Sequence, residues 1–155
     1  MQNETNEIKC FSLLGRILAI DYGRRRCGIA VTDTLQLIAG GLATVATHEL
    51  MQYVQDYVAR EPVDMIVVGL PTQLNGQPSE SMKYITPFVN RLKKVMPHMP
   101  VTMYDERFTS TLAHQAMIDG GMKKSDRRDK ARVDSIAATI ILTDYLESRH
   151  NNTTL

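Results

Sequence analysis

Cysteine is scarce in this 155-residue chain, with only Cys10 and Cys27 present. Their spacing matches no metal-ligand or disulfide pattern, so two reduced thiols are expected, Cys27 buried in a strand. No apolar run approaches the ~20 residues of a membrane span. The opening segment MQNETNEIKC carries acids and lacks the basic and apolar regions of a secretion signal, so a cytoplasmic protein with no membrane partner is expected. The histidines (His48, His98, His114 and His150) show no ligand spacing. Internal repeats and low-complexity segments are missing as well. What is present suits one soluble domain: 43% hydrophobic and 23% charged residues.

Net charge is small, +1, but uneven. Arg24, Arg25 and Arg26 form one basic block. A second block holds Lys123, Lys124, Arg127, Arg128, Lys130 and Arg132 against only Asp126 and Asp129. Two basic patches on an otherwise acidic body suggest a local polyanion site, although solvated loops would carry the same charges.

Hydrophobic patterning divides the chain into alternating elements. Residues 16–21, 27–33 and 36–46 read as three strands joined by short turns, hence an antiparallel meander. The spacing of Leu50, Met51, Val54, Tyr57 and Val58 predicts a helix over 48–61, ended by Pro62. The apolar run 64–71 suits a central strand covered on both faces. Residues 72–79 are rich in turn formers, and Ser79 could cap a helix over 80–96, which Pro87 would kink or split. A strand over 101–106 follows, then a helix from the Thr109 cap to Asp119, ended by Gly120 and Gly121. The charged segment 122–130 reads as a mobile loop, and 131–149 as a long amphipathic helix. The order βββ-α-β-α-β-α implies an α/β fold: a five-stranded mixed sheet with helices on both faces. One domain over 16–149 is expected, between a frayed lead-in (1–15) and a disordered tail (150–155).

The carboxylates carry the chemistry. Asp21 closes the first strand, Glu106 follows the fifth with Asp105 beside it, and Asp134 opens the last helix. Asp134 lies four residues before Ala138 and seven before Ile141, on the stripe that should face the sheet. Each acid alone has a structural explanation: Asp134 as a helix-start acid, Glu106 as a partner of Arg107. Together, at one end of the sheet, they would repel one another unless a cation sat between them. Hard oxygen ligands suit Mg²⁺ or Mn²⁺. Two such ions clamp the attacking and leaving oxygens of a phosphodiester. Neighbouring arginines would then hold flanking phosphates. Thr109 and Ser110 serve first as helix caps and second as phosphate contacts.

Four blocks carry a family resemblance: AIDYGRRRCGIAVTD (19–33), IVVGLPTQLNG (66–76), DERFTSTLAHQAM (105–117) and VDSIAATIILTDYL (133–146). In order and spacing the sequence resembles the YqgF family, assigned to Holliday-junction resolution and to pre-16S ribosomal RNA maturation. Nearly the whole chain, roughly 16–149, is covered. The resemblance implies a ribonuclease-H-like fold and an acidic trio of Asp21, Glu106 and Asp134 that binds metal. It also implies that the Gly69-Leu70-Pro71 segment and the basic segment after Gly121 border a nucleic-acid groove. Two positions depart from the family's habit: Arg25 stands where Lys is usual, and Asn75 where Asp is frequent. Arg25 keeps the charge, and Asn75 lies in a turn that tolerates the change.

The expected activity is therefore a metal-dependent endonuclease acting on structured nucleic acid, either pre-ribosomal RNA or branched DNA. Its catalytic residues would be Asp21, Glu106 and Asp134. Its backbone contacts would be Arg24, Arg25, Arg26, Arg107, Thr109, Ser110, Lys123, Lys124, Arg127, Arg128, Lys130 and Arg132. Symmetric junction cleavage would require a homodimer, for which the sequence shows no diagnostic patch. Two other classes compete. IDYGRRRCGIAV also resembles the phosphate loop of actin-like ATPases, which need two such domains where this chain has room for one. A non-catalytic nucleic-acid-binding or ribosome-assembly module is the other, and the intact acidic trio counts against it.

Overall fold

The computed structural model describes residues 15–70, 80–105 and 130–153, the side chains of 130–134 and 151–153 excepted. Its first strand shows why the chain folds as it does. In β1 (Arg16–Asp21) all four residues from Ile17 to Ile20 are completely buried. A strand apolar on both faces must be covered on both faces, and β1 accordingly lies at the centre. It pairs antiparallel with β2 (Arg26–Thr32), which pairs antiparallel with β3 (Ala39–Ala46). On its other side β1 pairs in parallel with β4 (Val63–Leu70), and β4 in parallel with β5 (Val101–Asp105). The sheet order is β3-β2-β1-β4-β5, the mixed five-stranded sheet that the element order implied.

Side-chain alternation assigns each face its helices. Leu18, Ile20, Cys27, Ile29, Ile66 and Val68 face one way. Against them pack Leu50, Val54 and Tyr57 of α1 (Leu50–Arg60) and Ile85, Val89 and Leu92 of α2 (Met82–Val95). Both helices present residues i, i+4 and i+7, one stripe of a 3.6-residue period. Ile17, Ala19, Ala30 and Val67 face the other way, against Ala138, Ile141 and Leu142 of α3 (Lys130–Thr153). Cys27 is a buried free thiol, as expected.

Several boundaries differ from the sequence expectation, each for a local reason. The third strand starts at Ala39, not 36, because Asp33 captures the intervening amides. Its Oδ1 accepts from the Leu37 and Ile38 N–H groups at 2.8 and 2.9 Å, and its Oδ2 from Leu35 at 3.1 Å. Gln36 completes that turn at a φ of 58°. Helix α1 is preceded by a 3₁₀ turn over Thr47–Glu49. Helix α2 begins at Met82 behind Ser81, whose side chain makes no capping bond, while Ser79 lies outside the described residues. Pro87 does not split α2. The carbonyl it deprives of a donor belongs to Lys83 in the first turn, and both residues are exposed, so water can serve that carbonyl. The last helix is longer than expected at both ends: Lys130 belongs to it, not to a loop, and helix continues through Thr153. The predicted helix over 109–119 and the loop before Lys130 lie outside the described residues.

Candidate active site

Asp21 is the last residue of β1, and the turn beyond it explains why the strand stops there. A Cβ on Gly23 would come within 2.2 Å of the Arg26 carbonyl oxygen, so only glycine permits this tight reversal into β2. Thr47 ties the turn down, its Oγ1 donating to the Gly23 carbonyl at 2.7 Å and its N–H to the Arg25 carbonyl at 3.0 Å. Alternation along β1 puts Asp21 on the side of Ile17 and Ala19, the α3 side.

The sheet around Asp21 is bare on that side. Directly across the β1–β2 ladder stands Gly28. On β4, Val68 pairs with Ile20, so Gly69 lies level with Asp21. Gly69 has the parity of Val67 and Met65 and so belongs to the α3 face. The central carboxylate is thus flanked on both neighbouring strands by residues that place no side chain beside it. The sequence marks Gly69 as part of a strand-end segment bordering a groove and does not single out Gly28; pairing register is what reveals their shared role.

Helix α3 runs antiparallel to β1. Near its start, Ser135 and Thr139 lie against Gly41 of β3, within 3.4 to 3.5 Å of where a Cβ would be. Toward its end, the Tyr145 hydroxyl reaches Met65 Sδ at 3.5 Å, and Arg149 Nη1 donates to Gln36 Oε1 at 3.0 Å. Met65 pairs with Ile17 at the amino end of β1, so the first turns of α3 point toward the Asp21 end. The helical backbone at 134 lies one turn before buried Ala138.

At β5, Val101 and Met103 pack with the α1–α2 core, while Tyr104 packs with the α3 core and meets Tyr145 edge-on at 5.9 Å. Asp105 therefore has the parity of the α1–α2 side, level with Leu70. Glu106 lies outside the described residues, as do Arg107, Thr109, Ser110, Lys123, Lys124, Arg127 and Arg128. Lys130 and Arg132 belong to the first turn of α3.

The arginine block does not act as one patch. Arg24 and Arg25 are exposed in the turn, but Arg24 turns toward α2, its Cζ 4.5 Å from the Tyr84 ring centroid. Arg26 opens β2 with the parity of Gly28 and Ala30 and so lies on the α3 side, the side of Asp21. His48 sits 3.9 Å from Glu49 in an exposed pair, consistent with an ordinary surface histidine. Among the described residues no group of three metal-ligating side chains assembles. Asp21 alone of the expected trio has a described side chain. The donor chemistry still fits a hard divalent cation: one carboxylate at a strand end, between glycines that leave room beside it.

A mixed sheet in this order, with an acid closing its central strand and a long final helix across that face, defines a ribonuclease-H-like protein. The solved structure of T. thermophilus RuvC in complex with a Holliday junction substrate superposes on 86% of this chain and 96% of its own, with a TM-score of 0.52 at 15% identity. The chain belongs to the RuvX family, described as Holliday junction resolvase, whose profile matches residues 15–148. A relative from Parabacteroides distasonis that carries the provisional name pre-16S rRNA nuclease is 60% identical over 136 residues, covering 88% of this chain and 97% of the relative. A relative from Phocaeicola vulgatus with the same name is 61% identical over 136 residues, covering 88% and 98%. The YqgF resemblance and the ribonuclease-H-like fold expected from the sequence are both borne out.

Proposed function

We propose that this protein is a divalent-metal-dependent endonuclease that hydrolyses phosphodiesters in folded or branched nucleic acid, with 5′ processing of the 16S ribosomal RNA precursor as its work. The observation that carries this reading is Asp21, a carboxylate ending the central strand between Gly28 and Gly69, on the face that α3 covers. Two further acids complete the site. We assign Glu106 rather than Asp105 as the second acid because Asp105 has the parity of the α1–α2 side. Asp134, one turn before Ala138, joins them from the helix whose start points toward Asp21.

Asp21, Glu106 and Asp134 would hold Mg²⁺ or Mn²⁺, most simply as a pair of ions. A metal bound there would supply a water of lowered pKa and positive charge beside the leaving oxygen. The carboxylates would fix its position, and the cation would offset their mutual repulsion. Gly28 and Gly69 put no side chain beside Asp21 on the two neighbouring strands, which leaves room there for a phosphodiester. Arg26 lies on the same side and is placed to hold a neighbouring phosphate, and we assign Lys130 and Arg132 as further backbone contacts. Arg25, Arg107, Thr109, Ser110, Lys123, Lys124, Arg127 and Arg128 complete the backbone contacts. The chain reads shape and charge more than base sequence. Paired cutting of a four-way junction would require two copies related by a two-fold axis.

The test incubates purified protein with a precursor RNA spanning the 5′ end of 16S rRNA and with a four-way DNA junction. Each is run in Mg²⁺, in Mn²⁺ and in chelator, beside an Asp21→Asn variant. Metal-dependent cleavage that Asp21→Asn abolishes supports the reading. Equal cleavage by Asp21→Asn removes Asp21 from the site and the activity from this protein.

A further inference from the structure

A second cleft, of about 460 Å³, opens on the opposite side of the sheet from α3, between the starts of α1 and α2. Its walls are two helical stripes. Gln52 and Gln55 come from α1, and Tyr84, Phe88 and Arg91 come from α2 at i, i+4 and i+7; Tyr22 closes one end. The Tyr22 and Phe88 rings lie 5.2 Å apart at 35°. Tyr84 is 41% exposed and takes no part in the core cluster, yet the Arg24 guanidinium lies over its ring. Among the described residues no Asp or Glu lines the cleft.

We propose that this cleft receives one unpaired nucleotide of the nucleic-acid strand, its base against Tyr84 and Phe88 and its phosphate at Arg24 or Arg91. The volume lies in the range of small-ligand sites. A half-exposed aromatic ring with a guanidinium over one face matches a base and its phosphate. Gln55 brings both a donor and an acceptor for a base edge, while Gln52, whose Nε2 donates to Asp56 Oδ1 at 2.9 Å, brings its amide oxygen. An aliphatic protein segment would not use two glutamines and an arginine, and a free inorganic anion would not use three rings. Position agrees with chemistry. Tyr22 follows Asp21 directly, and its ring lies with the α1–α2 core while Asp21 lies on the α3 side. A strand passing over the Tyr22–Arg26 turn connects the two, with exposed Arg24 and Arg25 along the way. The identity of the polymer rests on the nuclease reading, and the cleft holds the strand some distance from the bond being cut.

The test measures fluorescence anisotropy of a labelled single-stranded RNA oligonucleotide binding the full chain in chelator, where no cleavage occurs. The same oligonucleotide made with abasic residues serves as a second probe. Tyr84→Ala, at an exposed position, should weaken binding of the intact oligonucleotide about 5- to 150-fold, the range for loss of one base stack. Gln55→Glu, which brings a negative charge into the cleft and removes no ring, should weaken it too. The abasic oligonucleotide should bind wild type more weakly and be insensitive to Tyr84→Ala. Wild-type failure to bind the intact oligonucleotide, or unchanged affinity in both variants, would overturn the proposal. Equal binding of abasic and intact probes would also overturn it. Cleavage by Asp21→Asn in the separate assay would remove the nuclease reading and leave this result standing.

Discussion

Thr32 offers the sharpest test of how β1 is anchored. It is a polar side chain buried to 1% exposure within the core. Its Oγ1 accepts the Ile17 N–H at 2.9 Å and donates to the Asp33 carbonyl at 2.8 Å. The Ile17 amide takes this partner on β2 just beyond the Leu18–Val31 pair, where the β1–β2 ladder ends. Thr32→Val keeps the shape and deletes the hydroxyl. Burial alone predicts a gain, since a methyl replaces a hydroxyl, by about 0.8 kcal/mol. Leaving a buried N–H without an acceptor costs about 1–3 kcal/mol. The second effect wins, for a net loss of up to about 2 kcal/mol. For a chain of this size that lowers the melting temperature by up to roughly 8 °C. Urea unfolding gives the free energy, and hydrogen exchange gives a second readout, because the Ile17 amide should lose protection. A Thr32→Val protein as stable as wild type, with Ile17 still protected, would refute the reasoning.

Two further predictions concern charge. Burial first, and Glu147 second, raise the Asp144 carboxyl above its usual range, and its Oδ2 is buried with no hydrogen-bond partner among the described residues. The folded state therefore prefers the protonated acid, so stability falls as pH rises from the ordinary carboxylate value through the raised one. Asp144→Asn should melt higher than wild type at neutral pH, and the advantage should vanish below about pH 4, where both carry a neutral group; thermal melts at the two pH values decide. Replacing Arg24, Arg25 and Arg26 together with alanine should reduce the slope of log affinity against log salt by up to about 2–3 for a duplex substrate, and an unchanged slope would take these arginines off the nucleic acid.

Much of the fold is legible in the sequence because β1 and β4 are continuous apolar runs, which only a doubly covered sheet can hide. Helices α1 and α2 declare themselves through single stripes: Leu50, Val54 and Tyr57; Ile85, Val89 and Leu92. Local polar chemistry is harder to foresee. The start of β3 moved to Ala39 because one aspartate took three amides, a competition that propensity does not register. At the candidate site, the position of Asp21 at a strand end was readable. The clearing made by Gly28 and Gly69 was not, because it exists only once β2 and β4 are paired in register on either side of β1. The division of the arginine block, with Arg24 over Tyr84 and Arg26 on the far side of the sheet, likewise depends on strand parity and not on proximity in the chain.

Calorimetric titration of Mn²⁺ into wild type and into Asp21→Asn, Glu106→Gln and Asp134→Asn tests the shared carboxylate site most directly. The account predicts saturable binding by the wild type, lost or greatly weakened in each variant while thermal melts show all three folded. Wild-type binding that persists unchanged in the three folded variants would contradict it.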